Sequence, residues 1–166
     1  MSTVNGLPAH VLLVHIVVVL VPLTALALVA AALWPRAARR LGVLLPALAL
    51  VALVSVPLAT QAGEWLERHV TEDTLVRRHT ELGDGLLPWA LGLFVLATVV
   101  WWATRRTREE QTPGKGGRWS TLPVRIAVGV LSVAVGVGAV VDVYRIGDSG
   151  AKAAWHDAYD KTAQGN

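Results

Sequence analysis

Two histidines open the first long apolar stretch of this 166-residue chain. His10 and His15 lie in NGLPAHVLLVH, Asn5 to His15, and no charged side chain occurs before Arg36. Ionisable groups at membrane depth are expensive to keep there, which makes them functional candidates. Imidazole has two uses in such a place: it ligates a metal through a neutral ring nitrogen, or it carries a proton. His79, preceded by Arg77 and Arg78, stands at a second polar-to-apolar junction, and Asp142 and Arg145 lie near the end of the last apolar stretch. His10 and His15 are five residues apart, about 140° around a helix and roughly 7.5 Å along it. One straight helix therefore does not bring both to a single metal.

Composition limits what these groups can bind. The chain has no cysteine and one methionine, so thiolate sites, disulfides and iron–sulfur clusters are excluded and any metal must use histidine or carboxylate. Only 16% of residues are charged and 54% are hydrophobic, against roughly 25% charged in a soluble domain. The net charge of +3 does not point to nucleic acid, because the basic residues cluster beside apolar segments, where membrane topology accounts for them.

Four apolar segments must position the candidates. Val11 to Trp34, Leu41 to Ala59, Leu86 to Ala103 and Leu122 to Tyr144 each approach the roughly 20 residues that a spanning helix needs. The positive residues follow the first segment instead of preceding it, so it reads as a retained helix and not a signal peptide. The expected fold is all-α, a four-transmembrane-helix bundle in one domain. Its helices run over about 8–34, 41–68, 72–104 and 122–145, starting at Pro8, with a bend at Pro88. Trp89, Trp101 and Trp102 form interfacial belts. The connection 104–122 is basic, and 146–166 is a polar tail. Nine of the 15 basic residues fall in the stretches 36–40 and 104–125, which places those stretches in the cytoplasm and both termini outside.

At about 1.5 Å of rise per residue, His10 and His79 level at roughly 36 Å from the cytoplasmic end, and His15 and Asp142 at roughly 28 Å. A four-helix bundle holds a b-type haem between histidines of facing helices. The candidate cofactor-binding residues are accordingly His10, His15 and His79, with Arg77 and Arg78 at the propionates. Zinc or copper on two or three of the same histidines is the alternative. A third reading has these histidines only hydrogen-bonding across helices. Asp142 and Arg145, at i and i+3, read as an ion pair at the helix end. No catalytic residue is assigned. The GKGG at Gly114 lacks the spacing of a phosphate-binding loop. The GDSG at Gly147 follows a membrane helix and is not the scaffolded triad of a serine protease.

Together NGLPAHVLLVH, Pro22–Leu23, the RHTELG around His79 and the YRIGDSGAKAAW before His156 resemble the bacterial membrane family called domain of unknown function 2231, from about Asn5 to about Trp155. The resemblance implies four membrane helices and an activity not assigned. Relatives fused to or neighbouring Rieske-type domains imply a redox setting. The chain departs from the family at Val11, where proline is frequent, and at Asp148, where histidine is common; the second departure weakens a site drawing a ligand from the exit of the fourth helix. The expectation is a multi-pass protein of the bacterial plasma membrane that transfers electrons through haem b, with the bilayer and respiratory redox subunits as partners. The competing expectations are a cofactor-free accessory subunit and a proton or small-ion conductor using His15 and Asp142.

Overall fold

The computed structural model describes residues 3–4, 7–68, 74–109 and 122–160, and the side chains of 10–68, 74–106 and 122–155. His69, the side chain of His156 and most of the basic connection lie outside the described residues. Two short strands, β1 (Thr3–Val4) and β2 (Leu7–Pro8), pair antiparallel ahead of the helices. Six helices follow: α1 (Ala9–Leu33), α2 (Pro35–Leu41), α3 (Leu44–Glu67), α4 (Thr74–Asp84), α5 (Leu86–Glu109) and α6 (Leu122–Asp160). Four stretches are long and apolar enough to cross a membrane: His10–Leu33, Leu44–Glu67, Thr74–Arg106 and Leu122–Trp155.

Around the bundle, α1 packs against α3 and α6, and α5 completes the ring between those two. α1 and α5 thus form one diagonal, α3 and α6 the other. Each long helix buries a line of residues spaced alternately four and three apart: Val17, Val21, Thr24, Leu28 and Ala31 in α1; Leu45, Ala49, Ala52, Val56 and Ala59 in α3; Leu86, Ala90, Leu93, Ala97 and Val100 in α5; Ser132, Gly136, Ala139 and Val143 in α6. That 3.5-residue average keeps one seam facing the partner helices along their whole length. Alanine and glycine make up eight of these nineteen seam positions. Lipid tails compete with apolar side chains for every surface, so helices associate by close packing, which small residues permit. The opposite faces carry Val19, Leu26, Leu44, Leu91, Ile126 and Val130, all exposed, as lipid-facing positions should be.

Three boundaries differ from the sequence reading. The basic turn ahead of the second expected helix is itself helical, and that helix starts later, at Leu44: Pro35 starts α2 at a first-turn position where its missing N–H costs nothing, and Gly42, at φ +49°, ends it in a conformation that side chains with a Cβ avoid. The third is divided at Gly85, whose N–H bonds Leu82 O at 3.1 Å; the break is there and not at Pro88, which sits in the first turn of α5. The fourth does not stop at residue 145. It runs on as helix to Asp160 because Ala151, Ala153 and Ala154 favour it and Lys152 pairs with Asp148 at 2.7 Å one turn back.

Trp89, expected in an interfacial belt, stands in the first turn of α5 and lies across Gly138 of α6. A Cβ built on Gly138 would stand 2.3 Å from Cζ3 of that ring. Trp101 and Trp102 do sit at the basic end, with the guanidinium groups of Arg105 and Arg106 over them at 5.9 and 3.7 Å. Gly138→Ala is expected to destabilise the bundle by about 1–3 kcal/mol through overpacking. Gly147→Ala, with nothing within 4 Å of the new Cβ, should be neutral or stabilise by up to about 1 kcal/mol. Thermal unfolding in detergent checks the order of the two melting temperatures.

Candidate functional site

The buried seams end in four chemically distinctive residues. His10 is seven residues before Val17, His79 seven before Leu86, Gly63 seven after Val56 and Gly150 seven after Val143. The repeat therefore carries all four to the inside of the bundle at one end. The two histidines come from the α1 and α4–α5 diagonal, the two glycines from α3 and α6.

His10 and His79 meet edge to face, with ring centroids 6.2 Å apart and planes at 79°. Each imidazole lies on a glycine of a neighbouring helix. A Cβ on Gly63 would be 3.0 Å from Cε1 of His10, and a Cβ on Gly150 3.0 Å from Cε1 of His79. This closeness lets each ring reach the carbonyl one turn earlier on the same helix. Nδ1 of His10 bonds Ala59 O at 3.0 Å, and Nδ1 of His79 bonds Ile146 O at 3.2 Å and Ser149 Oγ at 3.0 Å. The two halves repeat one motif, a histidine against a carbonyl at position n and a glycine at n+4.

These bonds settle the tautomers. A carbonyl oxygen only accepts, so Nδ1 must be the protonated, donating nitrogen in both rings. Ser149 donates its own hydroxyl to Ile146 O at 2.8 Å, which leaves its oxygen to accept from His79. In each neutral ring the lone pair is then on Nε2. Imidazoles that ligate metals are oriented in this way, with the far N–H donated to a carbonyl or carboxylate.

The other candidates lie elsewhere. His15 is exposed on α1 and bonds Val11 O of its own helix at 2.6 Å. It falls off the buried seam, so it joins neither His10 nor Asp142. Asp142 is half-buried beside Gly85, where an added Cβ would stand 3.7 Å from its Oδ2. That oxygen and Ser132 Oγ are buried without a hydrogen-bond partner. The expected Asp142–Arg145 ion pair is not among those of the described residues. Arg77 is drawn along its own helix to Glu81 at 3.1 Å. Arg78 lines a groove on the α4–α6 seam with Tyr144, Arg145, Ser149 and Lys152. Among the described residues neither arginine has a hydrogen bond or ion pair to the imidazole pair. Among the described residues no three histidine or acidic side chains gather as a metal site.

Ala59, Gly63, Ile146, Ser149 and Gly150 escaped the sequence reading. Ser149 and Gly150 belong to the GDSG set aside as a protease-like echo, and the seven-residue register was the signal that would have found both glycines. The family model described as predicted membrane protein (DUF2231) matches residues 6–163. No curated protein and no solved structure matches the chain. Replacing His79 by alanine removes its bonds to α6 and leaves Gly150 uncovered, for an expected loss of about 1–3 kcal/mol. His15→Ala should stay within about 0.5 kcal/mol of the parent protein. Chemical or thermal unfolding of the two variants separates an inward histidine from an outward one.

Proposed function

Since the chain belongs to the DUF2231 family of predicted membrane proteins, whose description names no activity, we propose its function from the imidazole pair: an electron-transfer subunit of the membrane that holds a b-type haem between His10 and His79. The observation that carries this reading is the facing pair itself, with both Nδ1 nitrogens tied to backbone and both rings against glycine. Two imidazoles bound to opposite sides of one metal at about 2.0–2.1 Å bring their ring centroids roughly 6 Å apart. The observed separation is 6.2 Å, with the ring planes at 79°. Gly63 and Gly150 leave room for the two imidazoles that would hold the group, and a side chain at either position would push its ring away. A donor set of two imidazoles suits haem better than zinc, which takes three or four protein ligands.

When bound, haem supplies one-electron chemistry to the site. The chain's own groups do the positioning. Ala59 O and Ile146 O fix the ring orientations and keep the Nε2 lone pairs available. Ser149 holds His79 through a second bond. The access of water to this end of the bundle would, together with the ligands, set the potential of a haem held there. Donor and acceptor are expected among other redox proteins of the same bilayer, with the histidine end on the outer face because the arginine-rich end reads as cytoplasmic.

A reduced-minus-oxidised absorption spectrum of protein produced with added haem precursor tests the proposal. The parent protein is expected to show bands of a haem with two nitrogen axial ligands. Gly63→Val and Gly150→Val should lower haem content, His10→Ala and His79→Ala should each abolish the two-histidine spectrum, and His15→Ala should leave it unchanged. A parent protein without haem bands would sink the reading.

A further inference from the structure

The groove between α4 and α6 has a chemistry that the imidazole pair does not use. Arg78, Arg145 and Lys152 line it together with one carboxylate, Asp148. Lys152 is already paired with Asp148 at 2.7 Å, so the groove's net positive charge resides in the two guanidinium groups. Leu75 and Leu82 of α4 and Tyr144 of α6 supply apolar walls. The groove is thus amphipathic, and its position in the bilayer gives that meaning.

Arg125 and Arg145 bracket the apolar part of α6. Twenty residues at about 1.5 Å each separate them by roughly 30 Å, the thickness of a hydrocarbon core. Arg145 therefore stands at one lipid–water boundary, at the depth of headgroup phosphates. Below it α6 continues as an exposed stripe at helical spacing, Val130, Val137, Val141 and Tyr144, with exposures of 62, 57, 51 and 74%. Above it the same stripe continues through Asp148 to Lys152. One face of α6 thus passes from valine through tyrosine to arginine and lysine, and Arg78 faces it from α4.

We infer that this groove binds an anionic phospholipid, its phosphate between Arg78 and Arg145 and an acyl chain along Val141 and Val137. Guanidinium groups match phosphate oxygens in geometry as well as charge. Tyrosine prefers the headgroup level, where its ring is apolar and its hydroxyl wet. The valine stripe provides the chain with the same apolar surface that it meets elsewhere in the bilayer. The inference does not depend on whether the histidine pair carries a cofactor.

Native mass spectrometry of the full chain, delipidated in detergent and offered phosphatidylglycerol and phosphatidylcholine of matched chains, tests it. The parent protein is expected to retain phosphatidylglycerol about tenfold or more over phosphatidylcholine, given the attraction of two cations at a membrane surface. Arg78→Gln with Arg145→Gln should abolish the preference, and Arg78→Lys with Arg145→Lys should keep most of it. Both positions are exposed, so these variants are expected to fold. Equal retention of the two lipids by the parent protein overturns the inference without recourse to any variant. So does a glutamine variant that binds as the parent does, or displacement of the lipid by inorganic phosphate alone at equal concentration. A glutamine variant that keeps the lipid preference but loses haem would assign the groove to the cofactor's carboxylates and overturn the inference as well.

Discussion

The close approach of two imidazole rings to two helix backbones is the constraint on which the rest of the site depends. An imidazole can bond a carbonyl inside a neighbouring helix only if it lies almost on that helix's surface. With a Cβ at position 63 or 150, the ring atoms would be met at 3.0 Å, tighter than ordinary van der Waals contact. Glycine removes the obstruction, the ring drops into the gap, and Nδ1 reaches the oxygen one turn before. The consequence is chemical as well as steric. A donor bond to an acceptor-only oxygen fixes which nitrogen keeps its proton, and so which one is open to a ligand.

The same device occurs twice, once between α1 and α3 and once between α4 and α6. The two helix pairs that it ties are neighbours in the ring, and the two rings then face each other across the centre. Either histidine alone would read as an interhelical tie. Together they form a pair of oriented imidazoles at the polar end of the bundle, each against a glycine of a flanking helix. The proposed function therefore rests on the pair and not on the presence of histidine.

The bundle below the pair obeys a related rule. With lipid on the outside, little is gained by hiding apolar bulk as such, so alanine, glycine and small hydroxyl residues are set among the buried valines and leucines of the inner seam and let the helices approach. Trp89 against Gly138 and Gly136 against Ala25 and Val29 show how close the helices come. Such packing tolerates little added volume, and it holds the histidine end in register with the seams below.

The membrane class, the four spans and the family were legible in the chain, because apolar length, sparse charge and the NGLPAHVLLVH and RHTELG stretches are properties of contiguous sequence. So was the level of His10 with His79, because helix rise is uniform. Where helices break was less legible: Gly42 and Gly85 act through local backbone geometry that hydropathy does not record, and the helical run past Tyr144 depends on alanines and an ion pair that composition alone read as a polar tail. Only the tertiary structure decided which first-helix histidine turns inward. His10 and His15 look equivalent in sequence, yet a seven-residue seam set by packing against three other helices takes one and leaves the other exposed. Tertiary structure also decided that Gly63, Gly150 and Ser149 belong to the site, since a glycine's role is defined by what another helix places against it.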